Sequence, residues 1–285
     1  VGTVSGTGIS FGSPAVFESA GINYTGITFD SNSNKVVIAY RDEGNSSYGT
    51  AVVGTVSGTN ISFGTPVVYE SATVALPSIT FDSNSNKVVV AYAVGFSNGS
   101  NVGTVSGTNI SFGSKVVFYG PAEITSPAIT FDSNTNKVVI AYRAVSTGDG
   151  NAVVGTVSGT SISYGTIVDF NTTATTSYPT EKISATFDSN ANKVVIAYRA
   201  QSASGYTGVV VSGAVSGTDI SFGEALVYNT GRSDESGVTF DSNANKVVIA
   251  YKDVSNSNYG TGIVYSEAFD NTVRGSTASG STAII

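Results

Sequence analysis

Asp-Ser-Asn-(Ser/Thr/Ala)-Asn-Lys occurs five times in this chain, beginning at Asp30, Asp82, Asp132, Asp188 and Asp241. Oxygen-bearing side chains at its first, third and fifth positions match the opening of a calcium-binding loop. The match ends there. Lys stands sixth where such loops need Gly, and the twelfth position, where a bidentate Glu belongs, holds Arg41, Ala93, Arg143, Arg199 or Lys252. One carboxylate beside a lysine is a poor cage for a dication, whereas Asp and Asn side chains that bond to their own backbone suit a tight hairpin. The expectation is a structural turn, with no metal and no other cofactor.

Nucleophilic chemistry is narrowed by absence. The sequence has no His and no Cys, which removes Ser-His machinery, thiolate attack, disulfides and thiolate zinc sites. Glycoside hydrolysis needs a pair of carboxyl groups. The aspartates above recur in every repeat, so they serve the repeat, and non-repeated acids such as Glu43, Glu181 and Glu235 show no convergent spacing. On the residues alone the chain is expected not to be an enzyme, with a glycoside hydrolase as the lesser alternative.

The elements that carry these residues repeat about every 50 residues. A Phe precedes each Asp, at Phe29, Phe81, Phe131, Phe187 and Phe240, and Val-Ser-Gly-Thr recurs between them from Val4, Val56, Val105, Val157 and Val215. Each unit holds four strand-like runs: apolar-Thr-Phe-Asp; Lys-Val-Val-Ile-Ala-Tyr; a run ending Val-Gly-Thr-Val-Ser-Gly; and Ile-Ser-Phe-Gly-x-x-Val-Val-Tyr. Asn, Ser and Gly fill the joins, and no segment has helical periodicity with caps. The fold expected is all-β, a five-bladed propeller of four-stranded antiparallel blades over residues 1–270. The last unit lacks its fourth strand and the chain starts with one, so Ile9 to Phe17 is expected to dock beside Gly262 to Ala268 and close the ring.

Comparison of the five units separates two ends. The joins between strands one and two and between strands three and four hardly change, whereas the joins two-to-three and four-to-one vary in length and chemistry. Binding commonly resides on loops held by a rigid scaffold, which makes the variable end the expected ligand face; unconstrained drift of these loops is the alternative. Arg41, Arg143, Arg199 and Lys252 follow the strand-two tyrosines there, and Tyr24, Tyr48, Tyr178, Tyr206 and Tyr259 supply flat surfaces for sugar rings. Tyr40, Tyr92, Tyr142, Tyr198 and Tyr251 end every second strand and are expected to pack blade against blade.

A net charge of −7 and the lack of any basic cluster argue against a nucleic-acid partner. No run approaches the roughly 18 apolar residues of a membrane span, so no membrane insertion is expected. A chain that opens on Val1 is read as processed or as a piece of a longer one, with other domains beside it and a homo-oligomer as a further option.

The unit Ile27 to Asp42 followed by Gly49 to Gly64 resembles repeats of phage tail-fibre and bacterial surface proteins, notably marine ones, and more loosely it is similar to sialidase-type propeller repeats. The small-residue run of 271–285 resembles a linker into a further fibre domain. The resemblance implies an extracellular or virion-surface module that binds a cell-surface glycan or receptor, or else a structural spacer. The sialidase-type arginine triad, tyrosine nucleophile and acid find no matching positions here.

Overall fold

A computed structural model of the chain describes residues 1–171 and 173–266. All of its regular elements are strands. The chain opens with a hairpin, β1 (Gly2–Ser5) and β2 (Gly8–Phe11). Unit one comprises β3 (Ile22–Asp30), β4 (Lys35–Asp42), β5 (Tyr48–Ser57), β6 (Asn60–Phe63) and β7 (Val67–Thr73). Unit two comprises β8 (Ala75–Asp82), β9 (Lys87–Ala93), β10 (Asn98–Ser106), β11 (Asn109–Phe112) and β12 (Val116–Tyr119). Unit three comprises β13 (Ile124–Asp132), β14 (Lys137–Ala144), β15 (Gly150–Ser158), β16 (Ser161–Tyr164) and β17 (Val168–Asn171). Unit four comprises β18 (Glu181–Asp188), β19 (Lys193–Ser202), β20 (Gly205–Ser216), β21 (Asp219–Phe222) and β22 (Leu226–Asn229). Unit five holds β23 (Ser233–Asp241), β24 (Lys246–Asp253) and β25 (Tyr259–Tyr265).

Each unit is one antiparallel meander. Its first hairpin is closed as the turn chemistry requires. Asp132 Oδ1 accepts the backbone N–H groups of Asn134 (2.8 Å) and Thr135 (3.1 Å), and the same pair of bonds recurs at Asp30, Asp82, Asp188 and Asp241. The second Asn of each motif (Asn34, Asn86, Asn136, Asn192, Asn245) takes a left-handed backbone with φ of 53–56°, which Asn tolerates better than most residues. The carboxylate that resembled a calcium ligand thus bonds to the turn itself.

The expected fourth strand is broken in two. β6 pairs the outer half of β5 and β7 pairs its inner half, with an irregular stretch from Gly64 between them. The break has a packing cause: the Thr108 carbonyl of the next unit lies against Gly64 where any Cβ would overlap it, and Gly113 meets Thr160 and Gly165 meets Thr218 in the same way. Glycine at this point lets adjacent units approach backbone to backbone.

The core lies between units. On β14, Val138, Ile140 and Tyr142 join the cluster with unit two, while Val139 and Ala141 join the cluster with unit four. A strand buried on both faces explains the unbroken Val-Val-Ile-Ala-Tyr run, each Val or Ile contributing roughly 1.5–3 kcal/mol by leaving water. As expected, the strand-two tyrosines pack across these seams: Phe118 lies 5.5 Å from Tyr142, Phe170 5.3 Å from Tyr198, Tyr69 5.2 Å from Tyr92 and Tyr228 5.2 Å from Tyr251, between ring centroids. The first strands β3, β8, β13, β18 and β23 lie side by side in chain order.

One expectation is not met. Among the described residues β2 pairs only β1, and β25 pairs only β24, so the pairing of Ile9 to Phe17 with β25 is absent. The segment after the hairpin meets unit one instead: Gly12 lies against the Thr59 carbonyl and Phe17 packs 5.3 Å from Tyr40, as the last strands of units one to four pack on the unit that follows. The register of the hairpin is informative. Gly12 N–H donates to the Val1 carbonyl as Gly64 N–H donates to that of Val53, which makes β1 the outer half of a third strand. The stretch read as a linker, 271–285, lies outside the described residues.

Candidate functional site

Strand one of every unit carries a bulge near its start. The register shifts between Asn23 and Thr25, Ala75 and Ser78, Thr125 and Ala128, Glu181 and Ser184, and Asp234 and Gly237. One residue in each bulge has a left-handed backbone: Tyr24 (φ 49°), Leu76 (54°), Ser126 (52°), Lys182 (53°) and Glu235 (51°). Such a conformation costs a non-glycine residue roughly 1–2 kcal/mol, and bulges re-aim side chains beside functional sites. Here all five residues line one cavity of about 470 Å³, together with Thr25, Pro77, Pro127, Ile183 and Ser236. The site therefore rests on five equivalent backbone positions with five different side chains: a phenol, an isobutyl group, a hydroxyl, an ammonium and a carboxylate.

Two of the five are paired. Lys182 Nζ lies 2.8 Å from Glu235 Oε1 and bridges units four and five. The hydrogen bond from Lys182, followed by its charge, holds the Glu235 carboxyl below the usual carboxylate range. Neighbouring strands support the bulges: Ser236 Oγ donates to the Lys182 carbonyl (2.8 Å) and Val238 N–H donates to Ser184 Oγ (3.2 Å).

Next to the bulges of units four and five, at Glu181 and Asp234, runs a chain of ion pairs. Arg143 Nη1 lies 3.3 Å from Glu181 Oε1; Arg199, with a side chain only 7% exposed, bonds both Glu181 and Asp234; Arg232 Nη2 reaches Asp234 at 3.1 Å. In unit one Arg41 pairs with Glu43, Nε to Oε1 at 2.7 Å. Two guanidiniums, those of Arg199 and Arg232, also lie over the Tyr206 ring at 4.8 and 5.0 Å, and Arg41 lies 5.2 Å over Tyr24.

Of the candidate residues read from sequence, Tyr24 lies on the cavity wall. Arg41, Arg143 and Arg199 are held by carboxylates, and Tyr206 is covered by guanidiniums. Lys252 pairs in register with Asp234 at the end of β24. Tyr48 and Tyr259 begin third strands, and Tyr178 closes a turn through reciprocal backbone bonds with Thr175. Lys182, Leu76 and Ser126 carry no expectation from sequence, and Glu235 figures there only as one of the acids without convergent spacing. A simple signal marks them, since each stands five residues before the repeated Phe. Asp169, whose carboxyl burial pushes up, sits on β17 and is not among the residues of the cavity wall.

No family model and no curated protein matches the chain. Solved structures do match its fold. An intramolecular trans-sialidase from Ruminococcus gnavus shares it at TM-score 0.57 and 8% identity, over 84% of this chain and 75% of that one. A protein of unknown function from Dyadobacter fermentans matches at 0.55 and 12%, over 81% and 74%. A Hadza microbial sialidase matches at 0.53 and 11%; this chain matches over 82% of its length and spans only half of that one. At such identity the likeness establishes the fold alone, an all-β arrangement of sialidase-type propellers. It bears out the looser of the two resemblances and lends nothing to the tail-fibre one. It also overturns the expectation of a non-enzymatic surface module, because the characterised structures that share the fold are glycan-processing enzymes.

Proposed function

We propose that the chain is a glycan-processing enzyme whose reaction centre is the axial cavity. The observation that carries this reading is the convergence of Tyr24, Leu76, Ser126, Lys182 and Glu235, from five equivalent bulges, on one wall. A reaction centre must break the symmetry of a repeat, and here the symmetry breaks at a backbone position that every unit strains to present. Glu235, held ionised by Lys182, is assigned to proton abstraction or nucleophilic attack. Tyr24 is assigned to hydrogen bonding the sugar or its leaving oxygen. The cavity lies within the range of small-molecule sites, and the sialidases that share the fold act on glycans. Incubation with a glycan panel, followed by mass analysis of the products, tests the reading: released sugars support it, and a panel recovered intact counts against it.

The working form is proposed to be a closed ring of five blades. Thr59, Thr108, Thr160 and Thr218 each receive a glycine of the preceding unit, Gly12, Gly64, Gly113 and Gly165, whereas Gly223 of unit four has no such neighbour. The turn that should meet it is Thr7, the only remaining Val-Ser-Gly-Thr. Swinging β24 and β25 against the N-terminal hairpin would bring Thr7 to Gly223 and let β1 continue β25 as one third strand shared by both chain regions. It would also cover Ile27 (67% exposed) and Phe29 (53%), whose counterpart isoleucines Ile79 and Ile129 are only 8% and 7% exposed.

A further inference from the structure

We infer that the axial cavity seats an apolar group of its glycan ligand on the wall built by units two and three, an inference that rests on the glycan-processing reading. The chemistry of the wall changes from unit to unit. Units four and five bring the ion pair of Lys182 and Glu235 with Ser236 beside it, and unit one brings the hydroxyls of Tyr24 and Thr25. The neighbouring strands β8 and β13 bring Leu76, Pro77 and Pro127. A proline backbone has no N–H, so this sector lacks two donors that a sugar hydroxyl could use. Of its two serines, Ser78 already accepts the Ile129 N–H through its Oγ at 3.3 Å.

Leu76 carries the inference. Its backbone is left-handed (φ 54°), a conformation that asparagine and glycine tolerate and that costs a leucine. The equivalent positions hold Tyr, Ser, Lys and Glu, so the bulge itself does not require an isobutyl group. The core does not require it either: Leu76 is half-buried and belongs to none of the apolar clusters. An apolar side chain kept at a backbone cost, on a cavity wall and outside the core, completes its burial against what enters the cavity. The ligand that fits is a glycoside with a short apolar group, either a deoxy carbon of the sugar or an alkyl aglycone. That group lies on Leu76, and the hydroxyls face the side of Lys182 and Glu235.

The test is calorimetric titration of the whole chain with matched S-glycosides, which resist cleavage, across a panel of neutral hexoses. One arm compares butyl with methyl glycosides, and the other compares methyl 6-deoxyhexosides with the parent hexosides. In at least one arm the more apolar ligand is expected to bind about tenfold more tightly, and that arm identifies the source of the group. Equal binding in both arms would overturn the inference and leave the glycan reading intact; binding of no ligand in the panel would overturn both. Leu76→Asn suits the left-handed backbone and is expected to abolish the preference without lowering the unfolding midpoint. Ser126→Leu, which adds an isobutyl group on the next bulge, is expected to strengthen it. Phe96→Ser, at a residue that is 66% exposed and not on the cavity wall, is expected to leave it unchanged. A preference that survives in folded Leu76→Asn and does not grow in folded Ser126→Leu, or one that is lost in Phe96→Ser, would overturn the inference.

Discussion

Lys182 Nζ and Glu235 Oε1 lie 2.8 Å apart on equivalent bulges of adjacent strands, so the ammonium of one unit sets the charge state of the carboxylate in the next. Because that hydrogen bond lowers the Glu235 pKa, Glu235 stays in its basic form at pH values where a free carboxyl would begin to take a proton. Replacing Lys182 with Met removes the cause and moves the pKa back up. The acidic limb of the kcat/KM profile is then expected to move to higher pH, with the plateau lowered. An unmoved limb in a folded Lys182→Met variant would contradict the assignment of Glu235.

Ring closure has a signature in glycine. Gly113→Ala places a Cβ against the Thr160 carbonyl and is expected to destabilise the chain by about 1–3 kcal/mol, occasionally more. Gly223→Ala meets nothing of the kind unless Thr7 docks there. Equal losses in urea unfolding midpoint for the two variants are predicted by closure; a harmless Gly223→Ala would mean that the N-terminal hairpin does not complete unit five.

The hairpin aspartates are expected to matter for stability alone. Asp132 is buried, and besides its two backbone bonds its Oδ2 accepts the Thr135 hydroxyl at 2.7 Å. Asp132→Ala strips acceptors from a charged hydrogen-bonded turn and should cost about 1.5–3 kcal/mol. Calcium should leave the unfolding midpoint unchanged in the parent and in the variant.

Alkali should unfold the protein through its seams. Burial raises the hydroxyl pKa of Tyr198 to about 12, and burial is also the leading cause of the rise at Tyr40, Tyr92 and Tyr142, with the Glu70 charge adding to it at Tyr92. A tyrosine whose folded pKa exceeds its unfolded value of about 10 contributes stability that is complete below that value. The contribution is lost as pH rises through the folded value. Stability should thus hold to about pH 10 and fall steeply by about pH 12. Tyrosinate absorbance of the strand-two tyrosines should appear together with unfolding, and ionisation of all of them in a still-folded protein near pH 10 would contradict the packing account.

The elements were largely legible because the same packing problem recurs five times. Phe81, Asp82, Tyr92 and their counterparts repeat since every seam and every hairpin has the same geometry. The split of strand four was hidden because its cause, the Thr108 carbonyl against Gly64, comes from another unit. The site was harder for the opposite reason. Its five positions share a backbone conformation but no side-chain type, so reading by residue class passes over Lys182 and leaves Glu235 among acids without convergent spacing. Pairing was also out of reach. Arg199 looked like a ligand-binding guanidinium until Glu181 and Asp234 proved to be within its reach from neighbouring strands.

The most direct test of the central claim is sugar release by the parent chain and by Glu235→Gln, with Asp219→Asn on the opposite, nearly invariant end as a control. The account predicts release by the parent and by the control, and a loss of about 10²–10⁴-fold in Glu235→Gln at an unchanged unfolding midpoint. Release undiminished in Glu235→Gln, or none from the parent on any glycan, would contradict it.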